Sequence, residues 1–292
     1  MITFSVIIPH HNIPNLLQRC LNSIPDREDI QVIVVDDNSS EDKVDFEHFP
    51  GLDRKHTEFI FDKKGGGAGY ARNIGMLHAN GKWLVFADAD DFFSIDAFDV
   101  FFRYKDDSNA IIHFKADSVN SDDYTPSDRH LTLNKAIDDA MSSIITSKEA
   151  VLAMPVPWCK MFRRDFIDGR GVLFDEVYAC NDLMFVLKAT CWADDDAVCV
   201  VNNVVYTVTS RRGSLDANKM KLPRNFLSQL DVMIRRNKFI ENYPYDKRPI
   251  LAQVVRALKL GPKTFCKAFV YAVKQHALFS GFSVIFKKLI KR

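Results

Sequence analysis

The sequence predicts an α/β domain built on a mostly parallel sheet flanked by helices, followed by a helical extension. Three observations carry this. Short β-branched apolar runs alternate with helical patterns through the first hundred residues, each run ends in a cluster of polar or flexible residues, and the pattern beyond Ser214 is almost wholly helical.

The elements follow in order. Residues 4–8 read as a strand stopped by Pro9, and residues 15–24 as a helix with Leu16, Leu17, Cys20, Leu21 and Ile24 on one face. A second strand over 31–35 ends in Asp36-Asp37. A third, over 58–61, leads into the loop 62–69, a helix over 70–80 closed by Gly81, and a buried strand over 82–87 that ends in Asp88-Ala89-Asp90-Asp91. Beyond these come a strand at 110–116, an exposed polar loop at 117–129 and helix over 133–153 with Ser147 as an internal cap. Helices over 158–168 and 181–192 and a strand over 198–207 complete the domain. Pro223, Pro244, Pro249 and Pro262 mark boundaries in the helical extension.

Composition excludes several classes. With 292 residues, 47% hydrophobic and 26% charged, and no repeat or low-complexity tract, the chain reads as neither disordered nor a solenoid. The net charge of +1 hides an asymmetry: residues 247–292 hold 11 Lys or Arg and no acid, leaving 28 basic and 38 acidic side chains in residues 1–246. An acidic body argues against nucleic acid as the main partner. Six cysteines without a CxxC pair give no zinc, redox or disulfide pattern, and with no basic segment ahead of the first strand the expected location is the cytoplasm. The longest uncharged stretch near the end, 275–286, falls short of the roughly 20 residues a membrane span needs. The basic segment, with Phe265, Phe269, Val273 and Phe279 among lysines, fits an amphipathic surface lying on the inner face of a membrane, or a helix packing on the acidic body.

Asp36-Asp37, the glycines at 65–69 and Asp88-Ala89-Asp90-Asp91 all fall after strands, where open α/β sheets bind ligands. For Asp36-Asp37, capping of the next helix is the competing reading. No frame through Gly65-Gly66-Gly67-Ala68-Gly69 satisfies GxGxxG, and Gly75…Gly81-Lys82 has one residue too many for a P-loop, with Trp83 where Ser or Thr belongs. Three carboxylates delivered by one apolar strand repel one another unless a cation intervenes, and hard oxygen donors in this number suit Mg²⁺ or Mn²⁺. The same local pattern resembles the nucleophile motif of haloacid-dehalogenase-like phosphatases, although Phe92 brings no adjacent Thr and that motif normally follows the first strand.

Four motifs, Phe4-Ser5-Val6-Ile7-Ile8-Pro9…Asn12, Val32-Ile33-Val34-Val35-Asp36-Asp37-Asn38-Ser39-Ser40, Ala71-Arg72-Asn73-Ile74-Gly75 and Phe86-Ala87-Asp88-Ala89-Asp90-Asp91, resemble in order and spacing the family 2 glycosyltransferases of GT-A fold. Trp158 to Arg164, Asn181-Asp182-Leu183-Met184-Phe185 and Arg211-Arg212-Gly213-Ser214 look like landmarks of bacterial members that build surface polysaccharides such as O-antigen or capsule. The likeness reaches about residue 215. It implies a nucleotide-sugar-binding half over 1–105, an acceptor-binding half over 106–215 and a basic extension over 216–292. It further implies an inverting, metal-dependent transferase that moves a sugar from a UDP-sugar to a glycan or undecaprenyl-linked acceptor.

By that resemblance Pro9, Asn12, Asp36, Asp37, Gly69, Arg72, Asp88 and Ala89 bind the donor nucleotide, with Asp36 or Asp37 and Arg72 on the base. Asp90, with Asp88, takes Mn²⁺ or Mg²⁺, and Asp182 is the general base, its neighbour Asn181 standing where the family has Glu. Lys160, Arg211 and Arg212 are the cations expected near the diphosphate, and Trp158 is expected either to stack on an acceptor sugar or to be core. His10-His11 occupies a place where the family has an aromatic second residue. Asn181 also leaves open a catalytically silent sugar-nucleotide binder.

Overall fold

The structure, a computed structural model, describes residues 1–211 and 222–282. The chain divides into two compact units: Met1–Glu176 with Phe185–Arg211, and Val177–Met184 with the described residues beyond Arg211.

The first unit is organised by one sheet of eight strands in the order β3-β2-β1-β4-β7-β6-β8-β5. These are β1 (Phe4–His10), β2 (Ile30–Asp37), β3 (Thr57–Asp62), β4 (Trp83–Phe86), β5 (Phe92–Phe93), β6 (Ile111–Asn120), β7 (Lys160–Arg163) and β8 (Val198–Ser210). The first four neighbours run parallel, as do β6 and β8, while β7 lies antiparallel between β4 and β6. Alternation along the strands explains why both faces are covered. Phe4, Val6, Ile8, Val32, Val34, Trp83 and Val85 face one apolar cluster, and Ile7, Ile33, Val35, Leu84 and Phe86 face the other. Helices α1 (Pro14–Asn22), α2 (Ala68–His78), α3 (Ala97–Arg103), α4 (Leu131–Met141), α5 (Ser147–Ala153), α6 (Arg164–Arg170) and α7 (Leu183–Trp192) supply the rest, α7 beginning in the second unit.

Strand β1 continues past Pro9, which the sequence reading took as its end. The Ile7 carbonyl accepts the Ala87 N–H at 3.1 Å, so odd residues of β1 direct their polar groups toward β4. That ladder ends at the Ile7 and Phe86 pair, and a proline beyond it removes no donor the sheet uses.

Three other expectations change. Residues 158–168 form strand β7 followed by α6 instead of one helix, because Met161 and Phe162 must serve opposite faces of the sheet. The loop expected at 117–129 is strand as far as Asn120, since β6 stays paired with β8 through Ser210. The helical stretch over 133–153 is two helices, and the second is capped by Thr146, whose hydroxyl accepts the Glu149 N–H while Glu149 returns to the Thr146 N–H.

The second unit holds α8 (Pro223–Phe239), α9 (Ile250–Arg256) and α10 (Pro262–Lys274). Phe226, Leu230, Ile234, Ile250, Val254, Ala268 and Ala272 form its own core. A buried Asn237 ties its turns, donating to the Arg248 carbonyl at 2.6 Å and accepting the Arg248 N–H at 2.8 Å.

The turn before β4 sits directly on β1. A Cβ on Gly81 would lie 2.5 Å from the Ser5 nitrogen and 2.6 Å from the Phe4 carbonyl carbon, both backbone atoms with nowhere to move. Gly81→Ala is expected to lower the unfolding free energy by about 1–3 kcal/mol, read from urea denaturation. An unchanged midpoint would contradict this seating.

Candidate functional site

Because β3, β2, β1 and β4 run parallel, their carboxyl ends share one edge, and the polar clusters of the sequence meet there. Asp36, at the end of β2, is saturated. Its Oδ1 accepts the Ser39 N–H at 2.9 Å, and its Oδ2 accepts the Ser39 hydroxyl at 2.6 Å and His10 Nδ1 at 2.7 Å. His10 Nε2 accepts the Ile13 N–H at 3.2 Å, which fixes the proton on Nδ1. Burial alone would raise the Asp36 carboxyl, but the bonds from His10 and Ser39 outweigh it and hold it below the usual range. Ser39 Oγ also accepts the Asn12 N–H at 2.8 Å, and Asn12 Oδ1 accepts the Ser40 N–H at 2.9 Å. Asn12 and Asn38 both adopt left-handed backbone, φ +59° and +58°, a conformation asparagine tolerates better than most residues. Asp36 and Asn12 thus latch the loop after β1 to the loop after β2.

Asp37 differs from its neighbour. It is buried, its Oδ2 accepts the Gly67 N–H at 2.8 Å, and its buried Oδ1 has no hydrogen-bond partner among the described residues. Gly67 needs to be glycine for its φ of +87°, while the space where a Cβ would go is open. A buried acceptor without a partner is the kind of group that a ligand N–H satisfies. Pro9 lies half-buried on β1, and Gly69 is buried in the first turn of α2.

The carboxylates after β4 do not share one point. Asp91 turns inward, 1% exposed, with Oδ1 accepting the Thr209 N–H at 2.7 Å and Oδ2 accepting the Tyr206 hydroxyl at 3.0 Å. Asp88 pairs with Arg72, Nη2 to Oδ1 at 2.5 Å, and donates its N–H to Tyr206 Oη at 2.9 Å. Arg72 also lies 5.3 Å from the centre of the Phe174 ring. Asp90 keeps its carboxylate outward, with Arg211 Nη2 3.6 Å from Oδ2, beyond hydrogen-bond length. Its carbonyl accepts the Thr209 hydroxyl at 2.7 Å and Arg19 Nη2 at 2.5 Å. Burial, then the charge of Asp88, pushes the Asp90 carboxyl upward against the pull of Arg211 and Arg129. Burial, then Asp90 and Asp88, drives Asp91 well up. Ala89 is buried in the core, so only its backbone borders the site.

Other expected residues lie elsewhere. Lys160 is fully buried on β7 and donates to the Val156 carbonyl at 2.8 Å, an interior position for a side chain expected beside a diphosphate. Trp158 is core, stacked on the Tyr206 ring at 5.6 Å and 11°, and not an exposed platform. Asn181 and Asp182 belong to the second unit, half-buried just ahead of α7, and Arg212 lies outside the described residues. The sequence reading missed Arg19, Arg129, Tyr206 and Thr209. Tyr206 and Thr209 leave one trace, as polar groups on the sheet-buried end of β8. Arg19 and Arg129 leave none, since either reads as a surface charge.

Among the described residues no group of three or more His, Cys, Asp or Glu converges on a metal-sized point. Asp90, with the second oxygen of Asp88, nevertheless fits a hard divalent cation of the kind that completes its shell with water and phosphate oxygens. Burial and, after it, the charge of Asp88 push the Asp90 carboxyl up, and a cation beside it would favour the ionised form.

The model of the glycosyl transferase family 2 matches residues 5–171. Glycosyltransferase GlyA of Streptococcus pneumoniae is 22% identical over 265 residues, covering 83% of this chain and 36% of that protein. The poly(ribitol-phosphate) beta-N-acetylglucosaminyltransferase TarS of Staphylococcus aureus is 23% identical over 234 residues, 77% of this chain and 39% of TarS. The chain therefore spans less than two fifths of the length of these relatives. The crystal structure of S. aureus TarS 1–349 with UDP-GlcNAc superposes with a TM-score of 0.65 at 20% identity, covering 91% of this chain and 73% of that one. A mannosyltransferase from Pyrobaculum calidifontis, solved with GDP-Man and Mn²⁺, gives 0.55 at 14% identity, covering 97% and 79%.

The raised Asp90 carboxyl, pushed up by burial and by Asp88, has a measurable sign. A carboxyl raised on folding costs stability once ionised, so at pH 7 the unliganded Asp90→Asn protein is expected to melt above wild type. The gap should close as the pH falls through the raised folded-state value and vanish below the ordinary carboxylate range of about 4, where the carboxyl is neutral folded and unfolded alike. A lower melting temperature for the variant at pH 7 would contradict the upward shift.

Proposed function

This chain belongs to glycosyl transferase family 2 and has its GT-A fold, and on that premise we propose that it transfers a sugar from a UDP-sugar to a glycan or lipid-linked glycan in bacterial surface polysaccharide synthesis, with inversion at the anomeric carbon. The observation that carries the donor assignment is Asp37 Oδ1, a buried acceptor without a partner among the described residues at the carboxyl edge of the sheet. The imide N–H of uracil is a donor that satisfies it, and the open backbone at Gly67 leaves room for the base. Asp36, saturated by His10 and Ser39, holds the loops and leaves base recognition to Asp37.

Asp90, with Asp88, is the proposed holder of Mn²⁺ or Mg²⁺, which when bound supplies Lewis-acid stabilisation of the leaving diphosphate. Arg211, beside Asp90, adds a planar cation to the same oxygens. Arg72 orients Asp88 through its ion pair and leaves the other Asp88 oxygen for the cation. Asp182 is the proposed base that takes the proton from the acceptor hydroxyl, an assignment that rests on its place in the family motif. One base and direct displacement give inversion. The phosphatase reading needs Asp88 as the nucleophile, and one of its two oxygens is already paired with Arg72.

We also propose that the second unit rests on an anionic membrane surface. Among the described residues no helix is long and apolar enough to cross a membrane. On α10, however, Thr264, Ala268 and Ala272 face the core while Phe269, Val270 and Val273 remain 40%, 49% and 46% exposed, flanked by exposed Lys263, Lys267 and Lys274. Phe265 packs partly against the core and is not part of this face. With no acid anywhere in residues 247–292, the charge matches acidic phospholipid.

Titration calorimetry tests the donor site. UDP is expected to bind at least about tenfold more weakly with EDTA than with Mn²⁺, and Asp90→Ala should erase that difference. Equal affinities with and without metal would overturn the assignment. For the membrane face, wild type should sediment with phosphatidylglycerol vesicles and be released by salt, and the Phe269→Ser, Val273→Ser double variant should stay in solution. Equal sedimentation with neutral phosphatidylcholine vesicles would contradict the reading.

A further inference from the structure

We infer that Tyr206 is the positioning residue of the proposed diphosphate site, setting the spacing between Asp88, Asp90 and Arg211 through Asp91 and through strand β8. The inference rests on the reading of Asp88 and Asp90 as the diphosphate and metal carboxylates.

The segment Asp88 to Phe93 is stitched to β8 at successive points. Its first N–H reaches Tyr206 Oη at 2.9 Å, and that hydroxyl donates to Asp91 Oδ2 at 3.0 Å. Asp91 Oδ1 takes the Thr209 N–H at 2.7 Å, and the Asp90 carbonyl takes the Thr209 hydroxyl at 2.7 Å. Phe92 and Phe93 then pair with Thr207 and Tyr206 as a short antiparallel ladder. The turn is closed internally by the Asp91 N–H on the Asp88 carbonyl at 3.0 Å. Two residues past Thr209 on the same strand path, Arg211 reaches toward Asp90. One strand therefore fixes both the carboxylates and the cation that faces them.

Tyr206 is the centre of this arrangement because its hydroxyl both accepts and donates. The ring is fully buried, clamped flat by Trp158 at 5.6 Å and edge-on by Phe93 at 5.3 Å, so the hydroxyl has one place to be. Its removal leaves an N–H and a carboxylate oxygen without that partner in a buried site, which costs far more than an exposed hydrogen bond. Asp91 then keeps only the bond from the Thr209 N–H on β8 while Asp90 and Asp88 still repel it. Trp158 contributes from behind by holding the ring, which gives this buried indole a place in the site.

Tyr206→Phe deletes one oxygen and keeps the packing, and Thr209→Val deletes the bond to the Asp90 carbonyl while keeping the N–H on Asp91. Affinities for uridine and for UDP with Mn²⁺ are measured by calorimetry, and the Mn²⁺–UDP complex by electron paramagnetic resonance. Tyr206→Phe is expected to bind uridine as wild type does, to bind UDP with Mn²⁺ about tenfold more weakly or worse, and to change the Mn²⁺ spectrum. Thr209→Val should move in the same direction. The inference is overturned if both variants keep wild-type UDP affinity with Mn²⁺, or if Tyr206→Phe loses uridine and UDP affinity alike. Should Tyr206→Phe fail to fold, unchanged UDP affinity in Thr209→Val overturns it. Wild-type protein whose UDP affinity ignores Mn²⁺ overturns the diphosphate reading, and the role of Tyr206 falls with it.

Discussion

Three carboxylates within four residues, delivered to the end of a buried strand, repel one another, and the first unit is arranged around that repulsion. It is met by sending each group a different way. Asp91 is turned into the core against Tyr206 and Thr209, Asp88 is paired with Arg72, and Asp90 is left facing outward with Arg211 at a distance. Arg19 and Thr209 hold the Asp90 backbone, so the outward direction is imposed and not chosen by the side chain. What remains unbalanced is the Asp90 carboxylate, the charge to which the proposed cation answers.

The second pair of acids obeys the same logic. Asp36 and Asp37 are adjacent on β2, and alternation along the strand sends them apart. Asp36 receives three hydrogen bonds and carries structure; Asp37 receives one from Gly67 and keeps a buried oxygen without a partner among the described residues, the one proposed to meet a ligand. Uneven saturation of two neighbouring carboxylates is a physical ground for separating the latch from the reader.

Much of this was legible from residues alone. Apolar runs ending in polar clusters gave β1, β2, β3 and β4 in parallel, hence a common edge for Asp36, Asp37 and Asp88. The second half was harder, because β7 is a four-residue strand whose flanks look helical, and β5 has only two residues. Period alone cannot separate such short elements. Within the site, residues adjacent to a motif were found and those brought from afar were not. Tyr206 lies 118 positions from its partner Asp88, and Arg19 lies 71 from Asp90, separations no local pattern encodes. Lys160 suited a ligand by its chemistry, but β7 lies mid-sheet and buries it, while Trp158, just ahead of β7, takes the core alternative of its two readings.

Family membership and geometry converge on the edge formed by β2, β1 and β4. The most direct measurement is a crystal structure with UDP and Mn²⁺, the metal located by its anomalous signal. The account predicts the uracil N–H on Asp37 Oδ1 and the metal held at Asp90. UDP bound elsewhere, or a metal away from Asp90 with Asp37 Oδ1 still without a partner, would contradict it.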